Sequence, residues 1–405
     1  MIFFFFLNLM ISEKMIKMAE GGSAIRAMFE EGNRLASLYG RENVYDFSLG
    51  NPNIPAPEKI REEIVSIAEN TDPMELHGYM SNAGYLFVRN AVAESLNRRF
   101  GTGFTGENII MTVGAAGGLN IVLKTLLNPG DEVLVFSPYF LEYGNYVSNY
   151  DGILKAVPAS EADGFQPDAA ALYNAVNEKT KAVIINNPNN PTGVIYSEEK
   201  IKELAAALEK RQAELGTSIY IISDEPYREL AYDGAEVPYI TKYYKNTIVC
   251  YSWSKSLSLP GERIGYVVIP NDADDSSLII SAAVIANRIL GFVNAPALQQ
   301  RMVAACLDEK TDVGAYDRNR QTLYNGLKSL GFEPVYPSGA FYMWVKAPDG
   351  DDKAFSQRAK KYNILFVPGS SFACPGYVRI AYCVSHDMIV RSLPAFKKLG
   401  EEYGL

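Results

Sequence analysis

Histidine is almost missing from the 405-residue chain: only His77 and His386 occur, far apart in sequence. That shortage argues against a histidine-built metal site and against most Ser-His or Cys-His catalysis, which needs an imidazole beside the nucleophile. Cysteine is scarce as well. Cys250, Cys306, Cys374 and Cys383 show no CxxC spacing, which suits a reducing compartment rather than a disulfide framework. Positive charge is not in excess, since 38 Lys and Arg stand against 47 Asp and Glu for a net charge of −9. A nucleic-acid face would need a basic surplus. The chain also lacks the run of about 20 apolar residues that crossing a bilayer requires. The opening MIFFFFLNLMI comes nearest, but it is too short and has neither the basic start nor the small-residue cleavage site of a signal peptide. It reads as a frayed tail, an over-extended start or a partner-docking strand, so residues 1–20 are expected to be disordered or to dock on a partner. The absences together predict a cytoplasmic chain with no nucleic-acid or membrane partner.

What is present is apolar residue in quantity, 48% of the chain, enough for one large α/β unit and a smaller one. From about residue 105, short apolar runs alternate with helical patterns. The runs are Asn108–Val113, Asp131–Phe136, Lys181–Asn186, Ser218–Ser223, Thr247–Ser252 and Ile264–Ile269. Ser197–Leu215 reads as a helix opened by a serine cap with acidic residues behind it. Strands apolar throughout and alternating with helices predict α/β architecture, a mostly parallel central sheet covered on both faces. After about residue 295, helices dominate (Ala295–Leu307, Ala315–Leu330, Lys353–Tyr362, Ser385–Leu399), broken by short runs at Phe341–Val345 and Tyr377–Tyr382. The expected division is a large unit over 51–295 and a small α+β unit over 296–405. The segment 21–50 is expected to join the small unit.

The chemistry sits just beyond the strands. NIIMTV is followed by Gly114-Ala115-Ala116-Gly117-Gly118, and KAVIIN by Asn187-Pro188-Asn189-Asn190-Pro191-Thr192-Gly193. SIYIIS is followed by Asp224-Glu225-Pro226-Tyr227. TIVCYS is followed by Trp253-Ser254-Lys255, with Arg263 eight residues on. Open parallel sheets bind ligands at the carboxyl ends of their strands, so these four clusters converge on one crevice. Each alone has a plainer explanation: helix packing for the glycines, a turn for NPNNPTG, a cap for the aspartate, solvent for the lysine. Together they suit a phosphorylated aromatic aldehyde that needs an amine partner.

The run SWSKSLSLPGERIGY, with Lys255, Gly261, Arg263 and Gly265, resembles the lysine signature of class I aminotransferases. These are pyridoxal-5′-phosphate enzymes of the aspartate aminotransferase fold, fold type I. NNPTG at Asn190, DEPY at Asp224 and VRIAY at Arg379 match the family's other motifs in the same order, and the likeness runs from about Tyr45 to the C-terminus.

The resemblance implies a role for each matched residue. Lys255 would form the Schiff base with the cofactor and carry a proton, for which it must be partly neutral. Asp224 would pair with the pyridine nitrogen, and Tyr227 and Asn190 with the ring's 3-oxygen. Phe140, in SPYF, falls where the family stacks an aromatic ring, although the usual tryptophan is absent. Arg263, Ser252, Ser254 and the Ala115 and Ala116 amides would hold the phosphate. Tyr79 matches the tyrosine that reaches this phosphate from the neighbouring subunit, which implies a homodimer with shared sites. Arg379 would clamp the substrate carboxylate, and Gly50 would close over the substrate. Pro138 and Pro191 fall where relatives have cis peptide bonds.

The expected activity is transfer of an α-amino group from an L-amino acid to a 2-oxo acid by a ping-pong mechanism. A C–S β-lyase of the cystathionine β-lyase kind shares the fold and cofactor and is the alternative. A transcriptional regulator would need a helix-turn-helix module, and only about 45 residues precede the matched region. A non-catalytic cofactor-binding protein would have no need of Lys255, Asp224 and Arg379 together. Arg288, in NRILGFVN, is the candidate reader of a distal substrate carboxylate, but it does not fall on the family's position by counting from Asn294.

Overall fold

A computed structural model describes residues 10–20 and 24–405 of the chain. Residues 1–9, most of the apolar start, lie outside the described residues. Of the segment 1–20, expected to be disordered or to dock on a partner, the described part contains the helix Glu13–Glu20, and Lys14 Nζ pairs with Asp151 Oδ1 at 2.6 Å.

The centre is an eight-stranded sheet. Its spatial order is Ile109–Thr112, Gly265–Val268, Thr247–Ser252, Tyr220–Asp224, Thr180–Asn186, Glu132–Ser137, Ile153–Ser160 and Gln166–Pro167. The run from Thr247–Ser252 through Ile153–Ser160 is parallel throughout. Pairing turns antiparallel at both edges: Gly265–Val268 runs against both its neighbours, and Gln166–Pro167 against Ile153–Ser160. The central strands are buried residue after residue because both faces are covered. Ile221 and Ile222, adjacent in one strand, feed two different cores, as do Val249 and Cys250. A strand shielded on two sides has no reason to alternate apolar with polar.

Ile153–Ser160 escapes the apolar-run criterion for the opposite reason: of ILKAVPAS only Val157 is buried, and Pro158 lies near its end. The helix after Asn190 runs Glu198–Leu215, and the Ser197 side chain accepts the Lys200 amide hydrogen as its cap.

The smaller α+β unit is a three-stranded antiparallel sheet, Tyr342–Lys346, Tyr377–Ala381 and Val367–Pro368. It packs with the helices Val313–Ser329 and His386–Glu401 around Phe341, Phe355 and Phe396. The chain before Gly50 reaches this unit, since Tyr45–Asp46 pairs in parallel with Ile364–Leu365. Pro138 and Pro191 follow cis peptide bonds, and so does Pro188. No helix among the described residues is long and apolar enough to cross a membrane.

Candidate active site

Register brings the strand ends together. Asn186 and Asp224 are direct partners in neighbouring strands, and Asp224 is paired on its other side with Cys250, two residues before Ser252. The loops leaving these ends wall a cavity of about 400 Å³.

Asp224 is buried at its base. Oδ2 accepts the Tyr143 hydroxyl at 2.5 Å and lies 3.4 Å from Asn186 Nδ2, which also donates to the Asp224 carbonyl at 2.9 Å. Oδ1 is buried with no partner. Burial pushes the carboxyl up to about 7, opposed by the Tyr143 hydrogen bond and reinforced by Glu225. A buried acceptor without a donor is costly unless a ligand supplies one.

Lys255 stands opposite on the single helical turn Trp253–Ser256, opened by the Ser252 hydroxyl accepting the Ser254 amide hydrogen. Its Nζ donates to the Gly50 carbonyl at 2.9 Å. Burial lowers its pKa to about 8, and the positive charges of Arg263 and Arg379 push in the same direction against Cys383. A lysine in this state is partly neutral near physiological pH.

Arg379 occupies the small unit's side of the cavity. Nη1 donates to Asn190 Oδ1 at 3.0 Å, Nη2 to the Ser48 carbonyl at 2.6 Å, and Nε is buried without a partner. The guanidinium lies 4.5 Å from the Tyr342 ring centre. The Tyr342 and Tyr227 hydroxyls are 2.9 Å apart. Burial first, and Tyr342 second, raise the Tyr227 hydroxyl well above its ordinary value, so it stays protonated.

The remaining wall gathers groups that can hold an anion. Helix Gly114–Leu126 points its amino end, with Ala115 and Ala116, into the cavity beside Ser252, Ser254 and Arg263. The two serine hydroxyls are 2.7 Å apart, and Arg263 Nη2 lies 3.4 Å from the Val113 carbonyl. Gly114 has φ +77°, a conformation that glycine takes without strain, and a Cβ there would sit 2.9 Å from Arg263 Nη2 and make the arginine's tip shift.

Gly50, Phe140, Asn190 and Tyr227 line the same cavity. Tyr79 and Arg288 do not. Tyr79 is 95% exposed and borders a separate cleft with Phe292 and Asn294. Arg288 is exposed on the helix Ser276–Ile289. Tyr143, Tyr146, Glu142, Asn186 and Tyr342 also line the cavity and went unnoticed in the sequence. Asn186 could have been found, since it ends an apolar strand beside NPNNPTG. The rings of Tyr143 and Tyr342 follow ordinary aromatic runs.

The family described as aminotransferase class I and II matches residues 42–395. The chain belongs to the class I and II aminotransferases. A probable aspartate/prephenate aminotransferase of Thermus aquaticus is 33% identical over 86% of this chain and 89% of its own length. An amino transferase crystal structure from Eubacterium rectale superposes with a TM-score of 0.96 at 47% identity, covering 98% of this chain and all of that one. The Thermus thermophilus aspartate aminotransferase with maleate gives 0.85 at 27%, over 96% and 99%. The protein is thus a pyridoxal-5′-phosphate-dependent transaminase of the aspartate aminotransferase fold. The aminotransferase cofactor fits what the cavity offers: an unpartnered buried carboxylate oxygen for a protonated ring nitrogen, an amine for an aldehyde, and an anion cradle for a phosphate.

Proposed function

We propose that this aminotransferase carries the α-amino group of an L-amino acid to a 2-oxo acid in two half-reactions of a ping-pong cycle, with Lys255 as the amine that joins the cofactor. One observation carries the reading: the buried Lys255 amine, near pKa 8, shares a cavity with the unpartnered Oδ1 of Asp224. Pyridoxal 5′-phosphate supplies an aldehyde for the amine and a ring that draws electrons from the bonds at the substrate's Cα. The chain does the rest. Asp224 Oδ1 would accept a hydrogen bond from the protonated ring nitrogen, and the Tyr143 hydroxyl holds the carboxylate by its other oxygen. Asn190 and Tyr227 would donate to the ring's 3-oxygen, and Phe140 would pack against the ring. Arg263, Ser252, Ser254 and the Ala115 and Ala116 amides would hold the phosphate. Arg379 receives the α-carboxylate, its fork held by Asn190 and the Ser48 carbonyl. Lys255 Nζ, partly neutral, would take the proton from the substrate's Cα and deliver it to the cofactor's aldehyde carbon, C4′. Gly50 and Tyr342 close the cavity over the substrate and exclude water.

Borohydride reduction of the holoenzyme followed by peptide mapping tests the assignment. The label belongs on Lys255, and a label on another lysine refutes it. Amino exchange with a 2-oxo acid, rather than pyruvate release from cystathionine, separates transamination from C–S β-elimination.

We also infer that the working unit is a homodimer in which Tyr79 of a second copy completes the phosphate cradle. The exposure of Tyr79, together with Met74 at 84% on the same stretch, supports this. The four unpaired cysteines support a cytoplasmic enzyme.

A further inference from the structure

The charges lining the cavity leave one group without an assignment. Its cations are Lys255, Arg263 and Arg379, and its carboxylates are Asp224 and Glu142. In the proposed function, on which this inference rests, each of the three cations has an anion or a proton to manage. Asp224 faces the ring nitrogen. Glu142 has no such task. It begins the helix Glu142–Asn149, is partly buried, accepts a hydrogen bond from Asn145 Nδ2 at 3.0 Å, and is absent from the ion pairs among the described residues. Its charge is felt in the cavity: the Tyr146 hydroxyl is pushed up to about 12 by burial first and by Glu142 next.

We infer that Glu142 reads the donor's side chain and selects amino acids that end in a cation, of the lysine and ornithine kind. On this assignment the side chain of a substrate held by Arg379 at its carboxylate and by Lys255 at Cα runs along the wall that carries Glu142. The apolar surfaces of Leu119, Phe140 and Tyr146 suit a methylene stem there, and Glu142 supplies the opposite charge at its end. Among the described residues that line the cavity, an acidic side chain would meet no unassigned cation and would face a carboxylate instead. An acidic residue in a helix's first turn also favours the helix dipole, which would serve every donor equally. The two roles therefore differ in what they do to donor preference.

The test is single-turnover absorbance change of the holoenzyme with L-lysine, L-ornithine, L-alanine and L-aspartate. For wild type, lysine and ornithine should exceed aspartate at least tenfold in apparent second-order rate. In Glu142→Gln the lysine-to-alanine ratio should fall about tenfold, Glu142→Asp should restore most of it, and Glu142→Lys should bring aspartate ahead of lysine. Aspartate leading in wild type, with that lead lost in Arg288→Ala, overturns the assignment. So does a Glu142→Gln enzyme slowed by the same factor for every donor. Silence toward all four donors overturns both this assignment and the aminotransferase reading beneath it.

Discussion

Tyr143 donates its hydroxyl hydrogen to Asp224 Oδ2 at 2.5 Å, and the other carboxylate oxygen is left buried and unpartnered. One oxygen is thereby occupied and the other presented. The contact joins the Glu142–Asn149 helix to a strand end 81 residues away, so the aspartate's direction depends on packing between two elements.

Removing that donor makes ionisation harder. Burial already raises Asp224 to about 7, and the Tyr143 bond is the influence opposing it. In Tyr143→Phe the carboxyl should gain its charge only at higher pH, because a hydrogen bond to the ionised form has been lost. The acid limb of kcat/KM should move upward by about one pH unit, with little change on the alkaline side. A pH–rate profile from 5.5 to 9 checks this, and an unmoved acid limb refutes it.

Arg379 offers a planar fork pre-aimed by Asn190 and the Ser48 carbonyl. Lysine keeps the charge but loses the two parallel donors, and it leaves Asn190 Oδ1 without its partner. Arg379→Lys should lower kcat/KM for the amino acid on the order of 10²-fold, mostly through KM. Cofactor binding, followed by absorbance, should change little.

The parts of this arrangement differed in how readable they were. Strands such as Tyr220–Asp224 and Thr247–Ser252 were legible because cores on both faces leave an uninterrupted apolar run. Ile153–Ser160 has most of its residues at least partly exposed and hid among polar residues. Strand direction left no trace: nothing in IGYVVI says that Gly265–Val268 runs against its neighbours. Lys255, Asp224, Asn190 and Arg263 stood out because loops at strand ends concentrate polar and turn-forming residues in short motifs. Tyr143 and Tyr342 matter through partners 81 and 115 residues away, Asp224 and Tyr227, and a single tyrosine in an aromatic run does not name its distant partner.

Gly50 lies so close to Tyr342 that a Cβ would run into the Tyr342 hydroxyl and stand 2.8 Å from its Cζ. Gly50→Ala must displace the ring or the backbone whose carbonyl accepts from Lys255. Activity should fall about tenfold or more, and the double variant Gly50→Ala/Tyr342→Phe should recover part of the loss. A coupling of about 0.5–3 kcal/mol is expected for two groups in contact. Strictly additive losses would show that the clash is not the cause.

Stripped of cofactor, the enzyme holds two buried charges that disfavour folding in opposite pH ranges. Lys255 has a folded pKa of about 8 against an ordinary 10.5, so its burdened charged form prevails below pH 8 and the penalty fades as pH rises toward 10.5. Asp224 has a folded pKa of about 7 against an ordinary 3.8, so its penalty is absent near pH 4 and complete above pH 7. At about 1.4 kcal/mol per pH unit, each amounts to a few kcal/mol at most. Lys255→Met should therefore raise the Tm of the cofactor-free protein by a few degrees at pH 7, and the gain should shrink steadily above pH 8. Asp224→Asn should give its gain above pH 7 and lose it on acidification. Thermal unfolding of both variants and wild type across pH 4.5–10 measures the two trends, and gains that do not vary with pH would rule out charge burial as their origin.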